Sequence, residues 1–277
     1  MKRNVLFGLI LSGFSLTTLA QSSDIQKSIT ITPNISIQNL DWFERSTVGK
    51  IGMQLQFKPI KKLNVSVDGS VFKSLGNTPT PATTATNILD SKGANILGAS
   101  YGTTGKAGAG DISDLKIIYQ GVFVHADAGI PVKLGDSSRT TVEPFVGIEG
   151  KMWNRTVDYG TEGNPLIYEE KYKFLSPSLG AKLSYNTPSK VKLRLRISAS
   201  YPVISKLKTV SNNLSSPNLE TDLTKWLSPS VELGVRVKKL TLKLRYERIN
   251  IGTADSIRGA SPASRANITG LSIGYDF

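Results

Sequence analysis

The sequence predicts an all-β fold: a single antiparallel transmembrane β-barrel of about ten strands, with long extracellular loops and short periplasmic turns. Three observations lead there. Apolar and polar residues alternate with period two along most of the chain, short and long connecting segments alternate, and the last segment keeps its alternation in phase up to Phe277. Successive side chains of a strand point to opposite faces, so period two marks strands with two different faces. In the clearest segment Val191, Leu193, Leu195, Ile197 and Ala199 oppose Lys192, Arg194, Arg196 and Ser198. Leu240, Leu242, Leu244 and Tyr246 likewise oppose Thr241, Lys243, Arg245 and Glu247, and Val231, Leu233, Val235 and Val237 oppose Glu232, Gly234, Arg236 and Lys238.

In chain order, residues 1–20 read as an export signal. Lys2 and Arg3 precede an apolar run from Val5 to Leu16, and Thr18-Leu19-Ala20 offers a small-x-small cleavage site. That run is too short to cross a bilayer core, which takes about 20 residues, so 21–277 is expected to be the barrel domain. Strands are expected near 28–43, 50–58, 62–73, 113–134, 141–156, 167–185, 191–208, 226–237, 240–250 and 264–277. The even number suits a bacterial single-chain barrel, with eight or twelve strands left open. Lys61-Lys62, Gly135 to Thr140, Asn186 to Lys190 and Lys238-Lys239 read as short turns. Longer links at 44–49, 75–112, 157–166, 209–225 and 251–263 are expected on the outer side. Trp42, Phe43, Tyr172, Phe174, Tyr201, Trp226 and Tyr246 then form an outer aromatic girdle, and Tyr185, Tyr275 and Phe277 an inner one.

Composition narrows the chemistry. The chain has no cysteine, which removes disulfides and thiol metal sites. Its single histidine, His125, removes most zinc sites and most histidine-based catalysis. Neither a metal nor any other cofactor is expected. A formal net charge of +13 would suggest nucleic acid for a basic intracellular protein. For an exported one it points to anionic lipid head groups or acidic polysaccharide, and no nucleic-acid partner is expected.

At the end of the chain, Thr269, Leu271, Ile273, Tyr275 and Phe277 share one face against Gly270, Ser272, Gly274 and Asp276. With the export signal, this resembles the C-terminal insertion signal of Gram-negative outer-membrane β-barrel proteins, carried here by Leu271, Ile273, Tyr275 and Phe277. The resemblance implies residence in the outer membrane, recognition by the barrel-assembly machinery, and contact with outer-membrane lipid and lipopolysaccharide. It extends to small porin-like or opacity-type barrels, whose strand openings look like Glu143-Pro144-Phe145-Val146-Gly147-Ile148 and Ser176-Pro177-Ser178-Leu179-Gly180. Phe174-Leu175-Ser176-Pro177-Ser178-Leu179 is echoed by Trp226-Leu227-Ser228-Pro229-Ser230-Val231. Both prolines fall in the lipid-facing phase, which suggests a paired bulge near the outer rim.

Parity places Asp68, His125, Asp127, Glu143, Glu149, Lys151, Lys192, Arg194, Arg196, Glu232, Arg236, Lys243, Arg245 and Glu247 in the lumen. A ten-stranded barrel is barely wider than the eight-stranded kind that side chains fill. The first expectation is therefore a packed ion-pair network that plugs the bore, since buried charges need partners. The second is a narrow porin-like channel with a basic constriction at Lys192, Arg194, Arg196, Arg236 and Arg245. A third is an adhesin that binds acidic polysaccharide or a host surface through its loops, chiefly 75–112. An enzyme is the remaining class. His125 with Asp127 has the spacing of an oriented base, but the likeness to omptin proteases is one of size and strand number, and lipid A-modifying barrels offer no closer match. Lys50, Arg155, Lys171, Lys173, Lys206, Lys208 and Arg248 fall near outer strand ends, where they would meet lipopolysaccharide phosphates.

Overall fold

The computed structural model describes residues 29–42, 45–60, 62–76, 116–135, 139–158, 167–211, 219–254 and 264–277. The export signal, Phe43 and nearly all of the 75–112 link lie outside the described residues. Among the described residues are thirteen strand segments: β1 (Thr30–Asp41), β2 (Arg45–Ile60), β3 (Leu63–Ser74), β4 (Lys116–Gly129), β5 (Val132–Leu134), β6 (Thr140–Asp158), β7 (Ile167–Asn186), β8 (Val191–Ser200), β9 (Ile204–Ser211), β10 (Leu219–Lys225), β11 (Ser228–Val237), β12 (Leu240–Ala254) and β13 (Ser264–Tyr275). They make ten wall strands, because β5 prolongs β4, β9 prolongs β8 and β10 leads into β11. The ring runs β1-β2-β3-β4-β6-β7-β8-β11-β12-β13 and closes antiparallel from β13 to β1, Asn34 opposite Gly274 through Asp41 opposite Asn267. Closure removes the sheet edges, the only arrangement that lets strands cross a membrane. No helix among the described residues is long and apolar enough to cross one.

The lower part of the wall is apolar outside and polar inside. Leu240, Leu242, Leu244 and Tyr246 are exposed on the outer face of β12, while Glu247 is buried and Thr241, Lys243 and Arg245 are half-buried on the inner one. Ile35, Ile51, Val146 and Leu179 are each about two-thirds exposed, far more than a water-facing sheet of this size shows. Leu240 to Tyr246 spans roughly 20 Å of strand, close to the apolar band of a bacterial barrel, which is about 25 Å tall.

Higher up, the same two phases exchange character. The outward phase becomes Asn39 and Asp41 on β1, Thr47 and Arg45 on β2, Lys173 and Lys171 on β7, and Asn267 and Arg265 on β13. The inward phase becomes Leu40, Val48, Tyr172, Phe174, Ile249, Ile251, Ala266 and Ile268, all buried. The barrel thus continues past the membrane as a collar with the polarity of a water-soluble protein.

That collar corrects several expectations. Residues 44–49 are not a long link, since β2 begins at Arg45 directly opposite Asp41. The 209–225 link is mostly strand: β9 reaches Ser211, and β10 pairs with both β9 and β12. Strand β12 likewise runs to Ala254, into the expected 251–263 link. Collar strands lack the apolar face that marks a membrane strand, so their polar outward phase reads as loop. Tyr172 and Phe174 are not girdle residues, because their phase turns them inward, and Trp42 packs against the same core. Tyr201, Trp226, Tyr246, Tyr185, Tyr275 and Phe277 do face outward.

The expected proline bulge is also displaced. The ladders pass through Pro177, opposite Ile148, and Pro229, opposite Ala199, without a shift of register. The irregularity lies on the strand between them, at Tyr201-Pro202-Val203, where the wall hands over from β8 to β9. Tyr201 donates its N–H to the Pro177 carbonyl at 3.0 Å, and Val203 donates to Leu175 at 2.8 Å. Three prolines at one level leave few donors for the ladder there. On the opposite side, the turns at Gly135, Lys190 and Lys238 use left-handed backbone (φ 74°, 62° and 54°) to reverse tightly.

The change of polarity along one phase is testable, because the chain has no cysteine of its own. Spin labels at Ile51→Cys and Arg45→Cys, both outward on β2, are expected to differ. The first should be relaxed mainly by lipid-soluble oxygen and the second by a water-soluble nickel chelate. Equal water accessibility at both would remove the membrane span. Ile51→Arg should cost roughly 2–4 kcal/mol of folding into bilayers.

Candidate functional site

The lumen carries the concentrated chemistry of this chain, and it is arranged in three tiers. The outermost is apolar. Trp153 stacks on Tyr172 and Phe174 with ring centroids 5.4 and 5.1 Å away, and Trp42 meets Tyr172 edge-on at 4.9 Å. Leu40, Val48, Phe72, Ile117, Tyr119, Val157, Leu207, Leu223, Ile249, Ile251 and Ile268 complete the cluster. Gly121 lets the rings close in, since a Cβ there would stand 2.6 Å from the Phe72 ring and 2.7 Å from the Trp153 Cβ. A cavity of about 20 Å³ remains, lined by Leu40, Phe72, Trp153 and their neighbours. That volume suits a single water, and its lining is apolar apart from Gln38.

Beneath this plug lies a tier of ion pairs. Asp127, fully buried, contacts Lys182 Nζ and lies 3.2 Å from Arg196 Nη1. Lys182 also reaches Glu143 at 2.9 Å, and Glu143 accepts from Asn64. Both Lys182 and Arg196 stand over the Phe145 ring, at 4.9 and 4.5 Å. Across the bore, Lys151 bridges Glu149 (2.6 Å) and Glu247, and Glu247 takes a second bond from Arg245 at 2.8 Å. Asp68 stands between His125 and Gln54 in the ladder.

His125 belongs to the same tier. Its Nε2 lies 2.9 Å from Arg196 Nη2 and its Nδ1 is 3.7 Å from Asp127 Oδ2. A guanidinium can only donate, so Nε2 accepts and the proton of the neutral ring sits on Nδ1. The lone pair a general base would need is already engaged. Among the described residues no cluster of acids and histidine is suited to a metal.

The third tier opens at the end carrying the short turns. Lys192, Arg194, Arg236 and Lys243 line it with Glu232 and Asp276. Asp276 holds Arg236 at 2.7 Å and accepts from Thr32, while Lys243 lies 3.7 Å from Glu232 and donates to Gln54 at 3.1 Å.

Every lumen residue named from parity has its inward position in the ladder. The same parity reaches further than the sequence reading carries it. Lys50 and Arg155, expected at the outer rim, point inward: Lys50 lies buried over Phe123 at 5.1 Å, and Arg155 pairs with buried Glu170 at 3.3 Å. Lys50 shares the phase of Gln54 and Val48, which is the available signal. Lys182, Asp276 and the whole aromatic plug are absent from the expected lumen, although Phe72, Phe123 and Trp153 share the phase of Asp68, His125 and Lys151, and Asp276 shares that of Ser272 and Gly274. Leu271, Ile273, Tyr275 and Phe277 are exposed on the outer face.

No protein family matches the sequence, and no curated protein does either. Solved structures similar in shape include the outer-membrane protease OmpT from Escherichia coli, with 10% identity over 90% of this chain and 95% of that one, at a TM-score of 0.44. A major outer-membrane protein from Thermus thermophilus has 11% identity, over 90% of this chain and 99% of that one, at 0.43. The translocator domain of the autotransporter NalP from Neisseria meningitidis has 11% identity, over 98% and 95%, at 0.44. Ring closure and the outward apolar face of this chain, rather than these distant likenesses, carry the description of the fold.

Removing one partner from the middle tier leaves an uncompensated buried charge. Asp127→Ala is expected to cost about 3–5 kcal/mol, read as urea unfolding of the barrel folded into bilayers. Asp127→Leu combined with Lys182→Met should be distinctly milder than the sum of the two single changes, and strict additivity would mean that the pair is not coupled.

Proposed function

We propose that this chain is a closed, non-conducting surface barrel of the outer membrane, whose role is structural or adhesive. One observation carries this reading. Among the described residues the outer half of the bore is filled by an apolar aromatic cluster that leaves a cavity of about 20 Å³. Of the residues lining that cavity only Gln38 is polar, so an ion would have to shed its water there with little to replace it. The ion-pair tier below adds a second obstruction, because its charges are committed to one another. A catalytic role is disfavoured by the same geometry, since His125 lies beneath the plug with its Nε2 occupied by Arg196.

Contact with lipopolysaccharide is supported by the outward face of the collar. Lys173 stands directly opposite Lys206, and Lys171 opposite Lys208, across the β7–β9 ladder. Glu220 engages Lys206 at 2.9 Å and Glu169 engages Lys171 at 3.0 Å. Lys173 and Lys208 have no acid within 4.0 Å among the described residues. Like charges facing each other across a ladder are unfavourable, and a phosphate just above the Trp226 and Tyr201 level would relieve them.

Two measurements test this. Reconstituted in planar bilayers, the protein should be silent, and discrete, reproducible conductance steps would overturn the closed-barrel reading. Lys173→Glu and Lys208→Glu should each weaken lipopolysaccharide binding by the folded barrel, by up to roughly fivefold as expected of exposed pairs. Unchanged binding in the double variant would remove the phosphate contact.

A further inference from the structure

The inner-end tier holds more positive charge than it uses. Its cavity, about 50 Å³, is lined by four cations and two carboxylates. Asp276 is taken by Arg236 and Thr32, and Glu232 faces Lys243. Lys192 and Arg194 have no acid within 4.0 Å among the described residues, and the Arg194 Nε is buried with no hydrogen-bond partner. A buried N–H of a charged group left without an acceptor is costly, and here it sits beside an open space.

The space has a structural origin. Gly234 lies between Arg194 and Lys243 in adjacent ladders. A Cβ at this glycine would meet nothing nearer than 3.7 Å, the Arg194 Cβ. Both flanking rows carry a long side chain at this station, so the glycine leaves a notch bounded by cations. Roughly 10–15 Å³ of such space admits one water. The cavity therefore accommodates about four water-sized atoms, the number of oxygens on a tetrahedral oxyanion.

We propose that this vestibule binds a phosphate group, as free phosphate or as a terminal phosphomonoester, with Arg194 and Lys192 as its principal donors. The lining has two more positive than negative charges, which matches a phosphate dianion. Arg236 is partly exposed at the mouth, giving entry from the inner end, and the ion-pair and apolar tiers close the other side. The vestibule is thus a dead-end binding site rather than part of a passage.

The test uses the full-length folded protein in detergent micelles and inorganic phosphate, followed by calorimetry and by phosphorus NMR, with glycerol 3-phosphate as a second probe. Saturable one-to-one binding is expected. Arg194→Gln should weaken it about tenfold, the loss of one hydrogen bond to a charged group. Gly234→Ala, which fits without a clash, should weaken it by narrowing the notch while leaving the fold intact. Arg45→Gln, on the exposed outer face of the collar, should leave it unchanged. Binding of phosphate alone identifies the free ion as the ligand, and binding of both probes identifies a terminal phosphomonoester. Absence of saturable binding to either, or binding that ignores Arg194→Gln and Gly234→Ala, overturns the proposal.

Discussion

A strand in a continuous ladder cannot change which of its residues face inward, and the rest of this barrel follows from that constraint. Each wall strand is longer than the hydrocarbon layer it crosses. A single inward phase must therefore serve a stretch surrounded by lipid and a stretch surrounded by water. On β12 the phase reads Thr241, Lys243, Arg245, Glu247, Ile249, Ile251, polar where the outside is greasy and apolar where the outside is wet. The two sections are two folding solutions written on one register. Below, lipid supplies the apolar surroundings of the outer face and the interior must satisfy itself by charge pairing. Above, the interior packs as an ordinary hydrophobic core.

Pairing in the lower section has its own logic. Desolvating charges is expensive, and even good ion pairs scarcely recover the cost. Asp127 meets it with two cations and Glu247 with two more, and neither group is left to a single contact. Cross-strand position does part of the work. Lys182 lies directly opposite both Glu143 on β6 and Arg196 on β8, so the ladder itself brings the network together. Such a network specifies register as well as stability, because a slip of one residue would turn every charge toward lipid.

Much of this is legible in the residues alone. Ten wall strands, the direction of the apolar face and the inward set from His125 to Glu247 follow from period two. What is not legible has one cause. A membrane strand is recognised by its apolar outward face, so recognition stops where that face ends. Residues 219–225 and the start of β2 accordingly read as loops, and Tyr172 and Phe174 are misplaced when assigned by height instead of by phase. The ionic partners of the bore are less accessible still. Parity says that Lys182 points inward, but that it meets Asp127, far away in sequence, depends on the curvature of the closed ring.

The boundary between the two sections also fixes how deep the molecule sits. Were it to rise, Ile37, Ile51 and Leu244 would enter water. Were it to sink, Lys173, Lys206 and Lys208 would enter hydrocarbon, at a cost that rises with depth toward roughly 2–4 kcal/mol per basic side chain at the midplane. Both displacements are resisted around the circumference, and a rigid closed ring cannot relieve them by bending one strand. In a bilayer of unmatched thickness it is therefore the lipid that stretches or thins around the protein. The barrel acts as a gauge of the membrane it occupies, and its neighbourhood favours lipids of the length it dictates.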